Sequence, residues 1–351
     1  MDLRARAGRV GPIRASVEFS APDLAEQLRR SGLLGGDVAV ALACTAPASG
    51  RRAWCCGTRS GRPVDDGTPF YAASVTKQLV GVLVAQQVLA GRLDVETSVR
   101  ALLPGLPPWT APVRVRHLLH HTSGLPGTAR VVAAAGHRQE RELTNASVLS
   151  ALGHLPGPDR PPGEVFAYSN VGYVVLAEVL AAVTGTPLPV LARRLVLDPL
   201  GLAGWLGAPP ARTPAERQPP ATLGDGGWWT GAADLLTWLE ALDGGRLGPE
   251  VSALVQTPGR LDDGSPLTYG WGVTVRADGG RTTLTHGGSW PGWTAKTVRS
   301  PGTGAAVALL TTSDDTDAVS RAAVALQAQL VGGPSSQSSS RPSSSRRPSA
   351  S

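Results

Sequence analysis

The strongest constraint on this chain is where its strand-like segments lie. Two fall near residues 37–59 and the others follow residue 269, with helical patterns between them. DVAVALACTA from Asp37 and RRAWCCGTR from Arg51 read as strands joined through a Pro/Ser/Gly turn, which predicts a hairpin. After Tyr269, the runs YGWGVTVRA, RTTLTHGG, WTAKTVRS and GAAVALLTTS are separated by DGG, GGSWPG and SPGTG turns, which predicts a meander of antiparallel strands. Strands at both ends with helices between them imply one sheet built from the N- and C-terminal strands plus an inserted helical lobe, an α+β architecture.

The segment Ala73 to Ala90 is apolar on most faces and is followed by Gly91, so it is expected to be a central helix buried nearly all round. From Leu93 to about Trp238, short helical patterns alternate with loops rich in Pro and Gly, and AVSRAAVALQAQLV closes the fold as a helix. With 42% hydrophobic residues in 351, there is apolar material for a sizeable core. The expected division is an extension over 1–32, a folded body over 33–333, and a disordered Ser/Arg/Pro tail over 334–351.

Charge and cysteine content exclude several function classes. The net charge is +6, but residues 1–15 and the tail carry all of the excess, so the body offers no clustered basic surface and nucleic acid is not an expected partner. Cys44, Cys55 and Cys56 are too few for a disulfide framework and have no zinc-finger spacing. The first residues hold arginines without the apolar run of a signal peptide, so a cytoplasmic, reducing setting is expected. Apolar stretches from Leu79 and Tyr173 are interrupted well short of the ~20 residues of a membrane span.

Three short boxes hold residues suited to chemistry. Ser74-Val75-Thr76-Lys77 opens the buried helix, where a hydroxyl sits near unpaired backbone N–H groups and the positive end of the helix dipole. Lys77 lies one turn later on the same face and can reach that hydroxyl. An ammonium serves as a base only when burial disfavours its charge, and so apolar a helix supplies that desolvation. Only two of the 33 basic residues are lysines, Lys77 and Lys296, and lysine, unlike arginine, can give up its proton. Codon bias and an ordinary helix lysine explain the same tetrad.

Tyr168-Ser169-Asn170 lies at a loop-to-helix passage, with a phenol able to pass a proton and an amide able to hold a carbonyl. Asn170 as a helix cap beside a packed Tyr168 is the simpler reading of that box alone. His286-Gly287-Gly288 ends a predicted strand, where glycines permit a ligand to approach the backbone; alone it is a turn containing a histidine. His117, His120 and His121 have helical spacing but no acidic or cysteine partner in a metal motif, so no metal and no cofactor are expected.

Together and in order, YAASVTK, VRHLLHHTSGLP, PPGEVFAYSN, YGWG and HGGSWPGW resemble the serine beta-lactamase-related family, which comprises class C beta-lactamases, D-alanyl-D-alanine carboxypeptidases and esterases. The resemblance covers roughly residues 33–330 and implies a beta-lactamase/transpeptidase-like fold, its antiparallel sheet flanked by helices. It implies Ser74 as nucleophile, Lys77 as its activating partner and Tyr168 as the proton-transfer phenol. Asn170 would hold the substrate amide or Lys77, and the backbone amides of Ser74 and Ser289 would form the oxyanion hole. Gly287, Gly288, Ser289 and Trp290 would contact substrate.

His286 stands where many relatives carry the lysine of a Lys-Thr-Gly box. A histidine there has no permanent charge at neutral pH, which points away from beta-lactams without affecting acyl transfer. Lys296-Thr297 is followed by Val298 within the next predicted strand and is a poor substitute for that box. The implied activity is a serine hydrolase or acyltransferase, esterase-like, acting on a small ester or amide. A carboxypeptidase or beta-lactamase is the alternative within the same chemistry, and a silent binding protein on the same scaffold the alternative outside it. Trp290 and Trp293 flank the third box and are expected to line an acyl pocket. No feature of the sequence speaks to oligomeric state.

Overall fold

Strands from the early and the late parts of the described residues meet in one sheet. The computed structural model describes residues 26, 28–33, 38–46, 50–211 and 213–332, so most of the expected extension and all of the Ser/Arg/Pro tail lie outside the described residues. The main sheet contains β1 (Val40–Ala46), β2 (Gly50–Cys56), β3 (Thr274–Asp278), β4 (Arg281–Trp290), β5 (Trp293–Ser300) and β6 (Ala305–Thr311). Across the sheet the order is β2-β1-β6-β5-β4-β3, with every neighbouring pair antiparallel. The β1–β6 pairing runs in register from Val40 opposite Thr311 to Thr45 opposite Ala306.

Helices α1 (Thr76–Leu89), α2 (Val115–Leu119), α3 (Asn145–His154), α4 (Asn170–Thr184), α5 (Ala232–Asp243), α6 (Pro249–Gln256) and α7 (Thr316–Gly332) surround the sheet and build the lobe. The period of two along each strand assigns the sheet's faces. Val40, Leu42 and Cys44 join Val298, Val307 and Leu309 on one face, which α7 covers with Ala318, Val319, Ala322, Ala323, Leu326 and Leu330. These recur at helical spacing, so one stripe of α7 is buried. Asp315 Oδ1 accepts from the Ala318 N–H at the start of that helix. Leu28 and Leu33 pack in the same cluster.

The other face is built largely from small side chains: Ala41, Ala43, Ala295, Ala306 and Ala308. That lets α5 lie close against β1 and β6. A buried ion pair between Arg299 of β5 and Asp243 at the end of α5 fixes the layers to each other. The outer strand β2 exposes Arg51 and Arg52, charges that discourage edge-to-edge pairing, and Arg51 also binds Glu240 of α5.

The middle of the chain departs from an all-helical lobe. Phe70–Tyr71, Trp205–Leu206 and Trp228–Thr230 form a small three-stranded sheet. Strands of two or three residues are too short to show a period in sequence. Helix α6 lies beyond the expected limit near Trp238. The YGWG segment precedes β3 instead of forming part of it, because Gly272 takes φ +83° and passes so near α1 that a Cβ there would lie 2.4 Å from the Lys77 carbonyl carbon. Among the described residues, no single helix is long and apolar enough to cross a membrane.

Candidate active site

The nucleophile candidate sits at a strained turn. Ala73–Val75 form one turn of 3-10 helix before α1, and Ala73 has φ +46°, a left-handed conformation that costs a residue with a Cβ about 1–3 kcal/mol. From Tyr71 to Ala85 every residue is buried except Ser74, which is partly exposed. The turn therefore presents one hydroxyl out of an otherwise closed helix.

Lys77 is fully buried, and three acceptors surround its Nζ: Ser74 Oγ at 3.0 Å, Asn170 Oδ1 at 2.9 Å and the Asp225 backbone carbonyl at 2.9 Å. They match the three hydrogens of an ammonium group. Asn170 is free for this bond because Ser169, not Asn170, caps α4, its hydroxyl accepting from the Gly172 N–H. The Tyr168 ring lies under the ammonium, with Nζ 4.9 Å from the ring centroid, and the residue is 47% exposed. Among the described residues no hydrogen bond joins the Tyr168 hydroxyl to Ser74 or Lys77.

His121 brackets Tyr168. Its carbonyl accepts from the Ala167 N–H at 2.8 Å, and its Nδ1 accepts from the Ser169 N–H at 3.1 Å. It too is held at positive φ, +56°. Packed against the rings of Tyr168, Tyr173 and Tyr269, its imidazole is driven well below the usual histidine range by burial, then by the positive charge of Lys77. The other two histidines of that cluster turn to different partners, His117 to Asp262 and His120 to the Tyr269 carbonyl.

The third box lies within β4, not at its end, because pairing with β5 continues through Gly287 and Gly288 to Trp290. Gly288 is required there. A Cβ at this position would stand 2.2 Å from the Ala72 carbonyl oxygen and 3.0 Å from the Ser74 nitrogen. Its absence brings β4 against the Ser74 turn, so that Ser74 and Ser289 line the same space.

His286 is buried. Its Nδ1–H donates to the Gly287 carbonyl at 2.6 Å, and its Nε2 accepts from the Tyr269 hydroxyl at 2.8 Å. That tautomer is neutral, and burial followed by the charge of Lys77 pushes its pKa down to about 3. Burial keeps the Tyr269 hydroxyl protonated well above the usual tyrosine range, so it remains a donor to His286.

A groove of about 710 Å³ is lined by Ser74, Tyr168, Asn170, His286 and Ser289, and also by Arg276, Lys296 and Asp317. Lys296 pairs in register with Gly287, which the local motif reading misses; its side chain lies on the sheet face that carries Val298 and α7, and Asp317 of α7 lines the same groove. Burial, followed by Arg276, pushes the Lys296 ammonium below its ordinary range. Trp290 lines a second, smaller cavity that also borders Ser74. Trp293 is not brought to the groove; it is buried against Phe70 and Trp229. Tyr269, Asp225, Glu140 and Arg276 are further residues of the site, and of these only Tyr269 lay within a recognised motif.

A family model described as Beta-lactamase matches residues 35–330. Penicillin-binding protein 4 of Amycolatopsis lactamdurans is 29% identical over 61% of this chain and 63% of its own length. Esterase EstB of Burkholderia gladioli is 33% identical over 44% of this chain and 42% of its own. This chain thus spans less than two thirds of either relative. An octameric penicillin-binding protein homologue from Pyrococcus abyssi superposes with a TM-score of 0.72 at 20% identity, covering 90% of this chain and 78% of that one, a likeness of fold.

Proposed function

The chain belongs to the beta-lactamase family, and from that premise we propose that it is a serine hydrolase that forms an acyl-enzyme on Ser74. The observation that carries this reading is the Lys77 Nζ held 3.0 Å from Ser74 Oγ and fixed from behind by Asn170 and the Asp225 carbonyl. In its neutral form this amine takes the Ser74 proton as Oγ attacks a substrate carbonyl. Negative charge then develops on the carbonyl oxygen, where the backbone amides of Ser74 and Ser289 receive it. Collapse expels the alcohol or amine, which is protonated through Lys77 or Tyr168. Water then breaks the acyl–Oγ bond, releasing the acid and restoring Ser74. Lys77 is the immediate base in this scheme because it alone of the two touches Oγ, and Tyr168 serves the leaving group.

The substrates are small esters or amides bound in the groove. A carboxypeptidase or beta-lactamase activity is the second reading, favoured by Lys296 and Arg276, which line the groove with the single carboxylate of Asp317 and leave it a net positive charge that suits an anionic substrate. The three free thiols, with burial raising Cys44 and Cys55 to about 11, suit a reducing compartment. The test is covalent. A fluorophosphonate should add one phosphonyl group to the peptide holding Ser74 and abolish turnover of p-nitrophenyl esters, with nitrocefin and D-Ala-D-Ala peptides assayed in parallel. Labelling elsewhere, or a fully active Ser74→Ala variant, would overturn the assignment.

A further inference from the structure

Ser74, Asn170 and Ser289 border a second space besides the groove, a cavity of about 160 Å³ that also touches Glu140, Asp225 and Trp290. It is acidic in a way the acyl-transfer scheme does not use. Asp225 contributes its backbone carbonyl to Lys77, but its side-chain Oδ1 is buried and has no hydrogen-bond partner among the described residues. Glu140 is partly buried and reaches the Asn170 side chain. Neither carboxylate forms an ion pair among the described residues. The nearest ammonium, Lys77, has already committed its three hydrogens to Ser74, Asn170 and the Asp225 carbonyl.

A buried acceptor without a donor is costly, and so are two neighbouring carboxylates that line one cavity. Burial followed by their mutual repulsion holds the Glu140 carboxyl above its ordinary range, and burial raises Asp225 as well. A cation in the cavity relieves both costs. Two carboxylates with no third His, Cys, Asp or Glu ligand among the described residues make a poor metal set. The volume equals roughly five waters at ~30 Å³ each, enough for a group of a few heavy atoms. The wall formed by Trp290 adds an aromatic surface that suits an organic cation.

We propose that this cavity is a subsite for a protonated primary amine carried on the acyl group, its hydrogens shared between Asp225 Oδ1 and the Glu140 carboxylate. The preferred acyl donors are then esters or amides of amino acids with a free amino group. The amine belongs to the acyl part because the cavity is small and adjoins the nucleophile, whereas the larger groove gives a leaving group its way out. The inference rests on Ser74 being the acylated residue, and the test separates the two.

The test measures how alaninamide, N-acetylalaninamide and propionamide slow fluorophosphonate labelling of Ser74, with both enantiomers of the first two. Alaninamide, in at least one enantiomer, should halve the labelling rate at a concentration ~10-fold or more below that of either neutral amide, the effect of a charge-assisted hydrogen bond. Glu140→Gln should shrink that gap to ~3-fold or less, and Glu140→Asp should keep part of it. Asp225→Asn should act in the same direction if it folds, which circular dichroism checks; the more exposed Glu140 carries the test if it does not. Equal protection by the three amides, no protection by alaninamide, or a gap unchanged in Glu140→Gln overturns the subsite. Failure of the probe to label Ser74 in the free protein overturns the acyl-enzyme reading beneath it.

Discussion

Lys77 donates to Ser74 from one turn further along the chain, Nζ to Oγ 3.0 Å, and no part of the lysine is exposed to solvent. A base at this distance must be able to give up and regain a proton, which a guanidinium does not do. Lys77→Arg is therefore expected to lower kcat/KM toward p-nitrophenyl esters by ~100-fold or more. The variant keeps the positive charge, so a folded Lys77→Arg protein turning over esters within ~3-fold of the wild type would reduce Lys77 to a structural cation.

Gly288 is the second point at which small geometry governs chemistry. Adding a methyl group there places it 2.2 Å from the Ala72 carbonyl oxygen, so β4 or the Ser74 turn must move. Such overpacking costs about 1–3 kcal/mol, and a shift of the order of 1 Å between the Ser74 and Ser289 amides lowers the acylation rate about 100-fold. At Gly287 the nearest atom to an added Cβ is 3.8 Å away, an ordinary contact. Stopped-flow acylation of the two Gly→Ala variants should show Gly288→Ala slower than Gly287→Ala by ~10-fold or more. Equal rates would mean that the Ser74 turn and β4 need not fit closely.

What the sequence made legible was local. Ser74 and Lys77 are three residues apart at the start of one helix, so their neighbourhood follows from helical geometry, and Tyr168 and Asn170 lie two apart at one loop-to-helix passage. The hairpin, the meander and the closing helix were readable because strand and helix patterns persist over 5 to 17 residues there. Contributions that depend on register or on loops were not. Lys296 reaches the third box only because β5 pairs with β4 so that it faces Gly287. Asp225 comes from a loop and Glu140 from a single turn of 3-10 helix, both too short for periodicity, and Asp225 reaches Lys77 through a backbone carbonyl, which no side-chain motif encodes. Ser169 competes with Asn170 for the cap of α4, and only the folded loop shows which one takes it.

The pairing of Lys296 with Gly287 changes what a neutral His286 means for specificity. Lys296 and Arg276 line the groove with one carboxylate, Asp317, and none of the three is in an ion pair among the described residues, so the lining carries a net positive charge although the third box does not. The wild type is expected to favour 4-carboxyphenyl acetate over 4-nitrophenyl acetate more strongly than Lys296→Met does. That ratio of kcat/KM values should fall by ~5-fold in the variant and weaken with added salt, as a partly exposed charge pair does. An unchanged ratio in Lys296→Met would leave Lys296 without a part in substrate choice.

Acid sensitivity should carry the mark of the buried histidines. Burial depresses His120 to about 4 and His286 to about 3, and His121 lies well below its ordinary value for the same leading reason. Below the unfolded value near ~6.5, the unfolded chain takes up protons that the folded one refuses, so stability falls with pH across this window. Each histidine contributes at most ~1.4 kcal/mol per pH unit between its unfolded and folded values. Asp225, Asp243 and Glu140, whose folded values burial raises, act in the opposite sense and recover stability as they protonate. Comparison with a single-histidine variant removes that common background. His120→Gln keeps a donor for the Tyr269 carbonyl and does not titrate. Urea unfolding at pH 7, 6 and 5 should find His120→Gln less stable than the wild type at pH 7, with the difference narrowing by ~1 kcal/mol or more by pH 5. Parallel pH profiles for the two proteins would mean that His120 takes up its proton as readily in the folded protein as in the unfolded chain.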